Sequence, residues 1–235
     1  MTTRSAEAEE LISITNALLG KRATSEAVRA AQASDIGYDP QLWATLCEQI
    51  GVAALPLPEE YDGAEASLNE TGAVLEALAY HLVPTPLFTS TLAQCAVLLW
   101  GTNQARTEFL PRMASGEVAT VMWPGLADGA LLNPSSSLIF AVDQGQLCAV
   151  AEPEIAPEAT MDQGVRIGRL TGGSRGGDWR WGRCRCTHRY RSRTYRGHGE
   201  WGGCARARHD QCLCQGAGAV WSAHRVVPGD QTPAG

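Results

Sequence analysis

The sequence lacks any apolar run long enough to cross a membrane as a helix. The longest run, LAQCAVLLW at 92–100, falls well short of the roughly 20 residues that a spanning helix needs. The first ten residues, MTTRSAEAEE, are acidic and contain no apolar core, which argues against a secretory signal peptide. We therefore expect a soluble cytoplasmic protein with reduced thiols and no membrane span.

The sequence also lacks the short motifs that are typical of common catalytic and nucleotide-binding sites. It contains no Ser-His-Asp arrangement, no phosphate-binding loop and no glycine-rich dinucleotide fingerprint. Three cysteines, Cys47, Cys95 and Cys148, are scattered through the first part of the chain and look like small buried apolar residues. Motifs alone thus predict no catalytic residue and no metal site.

The last part of the chain lacks the residues that build a core. Residues 171–235 contain one leucine, Leu213, and no lysine, isoleucine, methionine or phenylalanine. Charge divides at the same place, because residues 1–170 carry 8 basic and 21 acidic residues, whereas 171–235 carry 11 arginines and 4 acidic residues. A segment of this composition buries too little apolar surface to offset its ordering entropy. We predict a tail of low order over 171–235.

Helical patterns dominate what is present before residue 118. The spacing predicts helices over 6–20, 24–33, the segment from Pro40 to Gly51, the segment after Ser67, 87–100 and the segment from Thr102 to Gly116. Gly20 is predicted to end the first helix. Asp39 before Pro40 is a typical N-cap, and Ser67 with Glu70 matches a capping box. A domain of five or six helices is expected over 1–117.

The pattern changes to short β-type runs from residue 118. VATVMW, SLIFAV, QLCAVAE and VRIGRL are separated by Gly, Pro, Asp and Asn, which favour turns. The predicted fold class is therefore α+β. An all-α domain over 1–117 leads into the first strands of a β domain over 118–170, and the tail of 171–235 follows.

Three segments carry a family resemblance. They are IGVAALPLPEEYDGA at 50–64, ETGAVLEALAYHLVPTPL at 70–87 and GTNQARTEFLPRMASGEVAT at 101–120. In this order and spacing they resemble the amino-terminal half of the acyl-CoA dehydrogenase family. The resemblance implies that family's all-α amino-terminal domain over 1–117, an incomplete β-barrel domain over 118–170 and, beyond it, a non-native tail. It also implies 2,3-dehydrogenation of an acyl-CoA thioester with FAD as hydride acceptor, in a homo- or hetero-oligomer of dehydrogenase chains.

The resemblance carries few site residues over to this chain. Strand position assigns Met122 and Trp123 to cofactor binding. The family's flavin-contacting loop is not matched, since TVMWPGLADGALLNP lacks its Thr-Glu pair and its Gly-Ser-Asp. The family's catalytic base usually lies on a carboxy-terminal bundle, so no catalytic residue is assigned. Glu59 and Glu60 match a structural connection of the family, and the position of His81 after an apolar helix face favours a helix-end residue.

The cysteine- and arginine-rich tail has three interpretations. Five cysteines and the nearby His188, His198 and His209 offer zinc ligands. However, single residues separate Cys184 from Cys186 and Cys212 from Cys214, where structural zinc sites favour two to four. Arginines with interspersed Trp and Tyr suit nucleic acid, but the segment has no fold signal. The third interpretation is a GC-rich gene translated out of frame. This interpretation explains the composition of the tail better than the other two do. We therefore predict neither a metal site nor nucleic-acid binding.

The out-of-frame interpretation can be tested on the genetic code. When the codons of residues 219–235 are read from their second base, they permit Q-F-G-R-P-I-G-S-F-Q-A-I-K-H-R-L. This string resembles the carboxy-terminal signature of the acyl-CoA dehydrogenases. We therefore expect an acyl-CoA dehydrogenase-like flavoprotein in a truncated, inactive form. The alternative is a non-catalytic subunit that binds a partner acyl-CoA dehydrogenase chain through its helices.

Overall fold

The structure is a computed structural model that describes residues 4–122, 130–143 and 146–175. These residues belong to one compact unit. Trp123, residues 124–129, residues 144–145 and the residues beyond 175 lie outside the described residues. Helices come first along the chain and strands second, which confirms the predicted α+β order.

Six α-helices and one short 3-10 helix make up the amino-terminal part. They are α1 (Ala6–Arg22), α2 (Ser25–Ala33), α3 (Pro40–Ile50), the 3-10 turn (Glu59–Tyr61), α4 (Leu68–Tyr80), α5 (Leu87–Trp100) and α6 (Asn103–Ala114). None of the helices in the described ranges is long and apolar enough to cross a membrane.

The helix ends follow the local signals in the sequence. The Asp39 carboxylate accepts hydrogen bonds from the amides of Gln41 and Leu42 at the start of α3. Gly51 ends that helix with φ 74°, in the left-handed region that glycine adopts without a Cβ clash. The predicted capping box of Ser67 and Glu70 is present at the start of α4. Local capping chemistry therefore sets these boundaries.

The predicted stop at Gly20 is wrong. Helix α1 continues through Gly20 to Arg22, and Ala23 is its C-cap residue. A glycine inside a helix costs only about 1 kcal/mol relative to alanine. Lys21 and Arg22 place positive charge in the last turn, where it interacts favourably with the helix dipole.

Within the described part of the chain, five strands form one sheet in the order β1-β3-β4-β5-β2. They are β1 (Ala119–Met122), β2 (Ala130–Leu132), β3 (Leu138–Asp143), β4 (Gln146–Glu158) and β5 (Ile167–Arg175). β1 and β3 are parallel, and the other pairs are antiparallel. The sequence did not predict β2, which is three residues long. β5 extends to Arg175, so its last five residues fall within the segment assigned to the tail.

The two edge strands of the sheet approach each other. The Thr120 hydroxyl on β1 donates a hydrogen bond to the Leu132 carbonyl on β2 at 2.6 Å. This contact nearly closes the sheet into a barrel and confirms the predicted incomplete β-barrel.

Helices and sheet share a core. Phe109 on α6 meets Phe140 on β3 edge to face, with ring centroids 5.3 Å apart. A second buried cluster joins α1, α3 and α4 around Leu19, Leu46 and Val74. Helix α5 packs against β1, and the resemblance places the cofactor at the end of this strand.

Candidate functional site

Met122 is the last residue of β1, and its side chain is half-buried. Helix α5 holds the strand at its other end, because the Ser90 hydroxyl accepts from the Ala119 amide at 3.2 Å and lies 3.4 Å from the Ala119 carbonyl oxygen. Trp123, the other residue predicted to bind cofactor, lies outside the described residues. The structure therefore positions one of the two predicted residues.

The described side chains at this strand end do not fit a flavin by themselves. A flavin ring presents several hydrogen-bonding atoms, which need donors from the protein. Met122 supplies a thioether, which packs against apolar groups and donates no hydrogen bond. The nearby Thr120 hydroxyl already donates to Leu132. No reaction step can be derived for FAD from these residues.

The acidic turn and His81 have structural roles. Glu59 and Glu60 are exposed residues of the 3-10 turn, which fits the structural connection expected of them. His81 is the C-cap residue of α4, and its Nε2 lies 3.1 Å from Asn16 Oδ1. The expectation that His81 is a helix-end residue is confirmed.

The three cysteines of the described part are half-buried, rather than fully buried as expected, and Cys47 and Cys95 are free thiols. Burial raises the pKa of the Cys47 thiol to about 12, and burial also raises the pKa of Cys95 and of Cys148. A thiolate is the nucleophilic form, so none of the three is activated for catalysis. Within the described ranges, no cluster of His, Cys, Asp or Glu side chains could hold a metal. The five tail cysteines lie outside those ranges.

The structure contains a small open cavity that the sequence did not predict. Its volume is about 110 Å³, and it lies between the α2–α3 loop, the start of α5, the end of β2 and the segment before β5. Tyr38, Phe88 and Val165 contribute apolar surface, while Asn133 and Arg166 contribute polar groups. These last two are more than 30 residues apart along the chain, so no local pattern links them.

Arg166 is fixed at the cavity by the helical part of the chain. Its Nη2 donates to the carbonyls of Gln32 and Ser34, at 2.7 and 2.9 Å, at the end of α2. Its side-chain carbons pass over Gly37, where an added Cβ would lie only 2.6 Å from Arg166 Cγ. A larger residue at position 37 would therefore displace the arginine.

Comparison with known proteins decides the family. The chain matches the model of the acyl-CoA dehydrogenase N-terminal domain over residues 5–117. It is 40% identical over 171 residues, 72% of its length, to acyl-CoA dehydrogenase IpdE2 of Mycolicibacterium smegmatis. It is 41% identical over 155 residues, 65% of its length, to acyl-CoA dehydrogenase IpdE2 of Mycobacterium tuberculosis. The chain belongs to the acyl-CoA dehydrogenase family.

This acyl-CoA dehydrogenase family member spans about half the length of the curated relatives it matches, 53% and 47% respectively. Solved structures agree on the fold. The ChsE4-ChsE5 complex from Mycobacterium tuberculosis matches with a TM-score of 0.61 at 20% identity, over 77% of this chain and 59% of that chain. Butyryl-CoA dehydrogenase from Megasphaera elsdenii matches with a TM-score of 0.57 at 11% identity, over 77% and 60%. At these identities the likeness shows the fold alone.

Proposed function

We propose that this chain descends from a flavoprotein that oxidises an acyl-CoA thioester to its 2,3-enoyl product with FAD as hydride acceptor, and that the present form is truncated and inactive on its own. One observation carries the second part. At the end of β1 the described side chains are the Met122 thioether and the Thr120 hydroxyl, which already donates to Leu132. Neither side chain offers a flavin a free hydrogen-bond donor.

The sequence supports the same proposal independently. The family resemblance places the catalytic base on a carboxy-terminal bundle, whereas residues 171–235 have a composition that cannot form a packed helical bundle. The second reading frame of the last residues permits a string that resembles that bundle's signature. We infer that a frameshift separates this chain from the active ancestral enzyme.

A one-nucleotide deletion near codon 170 tests the proposal, because it restores the second frame while leaving the first 170 residues unchanged. We expect the restored protein to purify with visible flavin absorbance, and the present chain to purify without it. Anaerobic addition of acyl-CoA thioesters of several chain types should bleach the flavin of the restored protein. Flavin bound to the present chain and reduced by an acyl-CoA would contradict the proposal.

The second candidate function is a non-catalytic subunit that binds another dehydrogenase chain. It is favoured by helix α5, where Phe88, Leu92 and Leu99 are 50%, 41% and 56% exposed. Their spacing places the three side chains on one side of the helix. A partner chain that covers this side would remove its apolar area from water.

The cytoplasmic location expected from the sequence belongs to the same proposal. Cys47 and Cys95 are free thiols, a state that reducing compartments maintain. Acyl-CoA as substrate and an oligomer of dehydrogenase chains are likewise proposed from family membership.

A further inference from the structure

Helix α2 has fewer buried residues than any other α-helix in the described part of the chain. Of its nine residues, Ala31 alone is buried. Val28 is half-buried against the cluster that joins α1, α3 and α4. An isolated helix of this length is marginal in water, so α2 depends on its contacts with the rest of the protein.

Arg166 supplies the polar contact that joins α2 to the sheet. It directly precedes β5, and its Nη2 donates to the Gln32 carbonyl at 2.7 Å and to the Ser34 carbonyl at 2.9 Å. These carbonyls lie at the carboxyl end of α2, where the helix dipole is negative and the last turn has no basic residue of its own. Among the described residues, no other hydrogen bond and no ion pair joins residues 25–38 to a strand or to another helix.

The sheet holds Arg166 at its backbone. The Asn133 amide, directly after β2, donates to the Arg166 carbonyl at 2.9 Å. The arginine side chain then passes over Gly37, whose φ is 79° and where an added Cβ would lie 2.6 Å from Arg166 Cγ. A side chain at position 37 would block this path, so the glycine allows the arginine to reach α2.

The segment that Arg166 holds also forms one wall of the cavity. Ile36, Gly37 and Tyr38 lie on one side of this space of about 110 Å³, and Phe88 and Leu132 line other sides. The segment is joined covalently to α1 before it and to α3 after it, and both of these helices contribute buried residues to the helical core. Displacement of residues 25–38 would therefore widen the cavity while its two ends stay anchored.

We propose that residues 25–38 form a lid over this cavity that opens as a unit while the rest of the fold stays intact, and that Arg166 is the latch that holds the lid closed. Neither flavin nor an acyl-CoA thioester takes part in this motion, so the lid is independent of dehydrogenation. The competing explanation is that Arg166 stabilises the whole fold uniformly, without any separate opening of α2.

Amide hydrogen exchange of the full chain in increasing low concentrations of urea, followed by mass spectrometry, tests the lid without a substitution. We expect the amides of residues 28–34 to exchange faster than those of α3 and β3. Their exchange should depend little on urea, because a local opening exposes little surface. Exchange in step with α3 and β3 at every urea concentration would overturn the proposal, since α2 would then open only with the whole fold.

The variant Arg166→Gln tests the latch. Loss of two hydrogen bonds from a charged donor should raise the exchange rate of residues 28–34 by at least about tenfold and leave α3 and β3 unchanged. Arg166→Lys keeps a positive charge near the helix end, so its effect on the same amides should be smaller. Arg169→Gln is the matched control, because it makes the same substitution on β5 at a guanidinium that contacts Glu158. It should leave exchange in α2 unchanged.

Two results would overturn the role of Arg166. The first is unchanged exchange of residues 28–34 in Arg166→Gln. The second is an equal rise in α2, α3 and β3, which is the signature of a uniform loss of stability. Should Arg166→Gln fail to fold, Arg166→Lys and the urea series on the unaltered chain make the same comparison between α2 and the core.

Discussion

Single side chains decide whether this protein carries reactive groups, and Cys47 is the clearest case. It lies on α3 beside Gly116, whose φ is 100° and where an added Cβ would be 2.9 Å from Cys47 Sγ. Trp43 Nε1 donates a hydrogen bond to the Gly116 carbonyl at 2.8 Å, so the indole contacts the same glycine as Cys47. The thiol is thus surrounded by packed groups, and desolvation is the largest cause of its raised pKa.

We expect the stability of the folded chain to fall as pH rises above about 9. The unfolded thiol ionises with a pKa near 9.0, whereas folding raises that pKa to about 12. The folded state therefore retains a proton that the unfolded state releases, and the linked slope is at most about 1.4 kcal/mol per pH unit. Urea unfolding at several pH values from 7 to about 10 measures this slope.

Cys47→Ala should flatten that pH dependence. Cys148→Ala is the control, since it removes a thiol from a strand of the sheet and leaves the thiol on α3 in place. An unaltered slope in Cys47→Ala would show that the thiol is not the group responsible.

Helices and strands differ in how far local sequence specifies them. Asp39, Ser67 and Thr102 cap their helices as expected, because each cap uses a side chain and amides within three residues. The hydroxyl of Thr120 instead contacts a carbonyl twelve residues away on β2. Closure of the barrel therefore depends on a side-chain contact between strands.

Thr120→Val should destabilise the β domain. Thr120 is 1% exposed, so valine keeps its shape but leaves the Leu132 carbonyl without this donor. We expect a loss of roughly 1–3 kcal/mol in the free energy of unfolding. Thr120→Ser retains the hydroxyl and loses one methyl group, so it should cost less. Urea titration followed by circular dichroism compares the three proteins, and a Val variant as stable as the unaltered chain would contradict the role assigned to this contact.

The whole molecule exposes an apolar surface along α5. Leu92 and Leu99 lie on the same side of the helix, with half-buried Cys95 between them. The resemblance and the shared fold place this chain among proteins that are about twice as long. A partner dehydrogenase chain is our proposed cover for this surface.

The double variant Leu92→Ser and Leu99→Ser should lose association with a partner. A tagged chain co-expressed with full-length acyl-CoA dehydrogenase chains of the same genome should retain one of them in a stable complex, because association buries the two leucines. Size-exclusion chromatography with light scattering measures the complex. Met161→Ser is the control, since Met161 is fully exposed and lies in the segment between β4 and β5. Equal retention by the double variant would exclude this surface as the interface.

The sequence by itself determined the helices, most of their ends and the family. Helical periodicity and capping depend on residues within one or two turns, and the three matching segments are continuous in the chain. It failed at Gly20, where neighbouring helix formers outweighed the glycine, and at β2, which is too short to show a pattern.

Tertiary structure alone decided the contacts between distant segments. The Thr120 closure, the exposure along α5 and the meeting of Asn133 with Arg166 each depend on how helices pack on the sheet. Arg166 bonds carbonyls more than 130 residues earlier in the chain. Periodicity cannot encode such pairs, because it records which side of an element is buried and not what that side contacts.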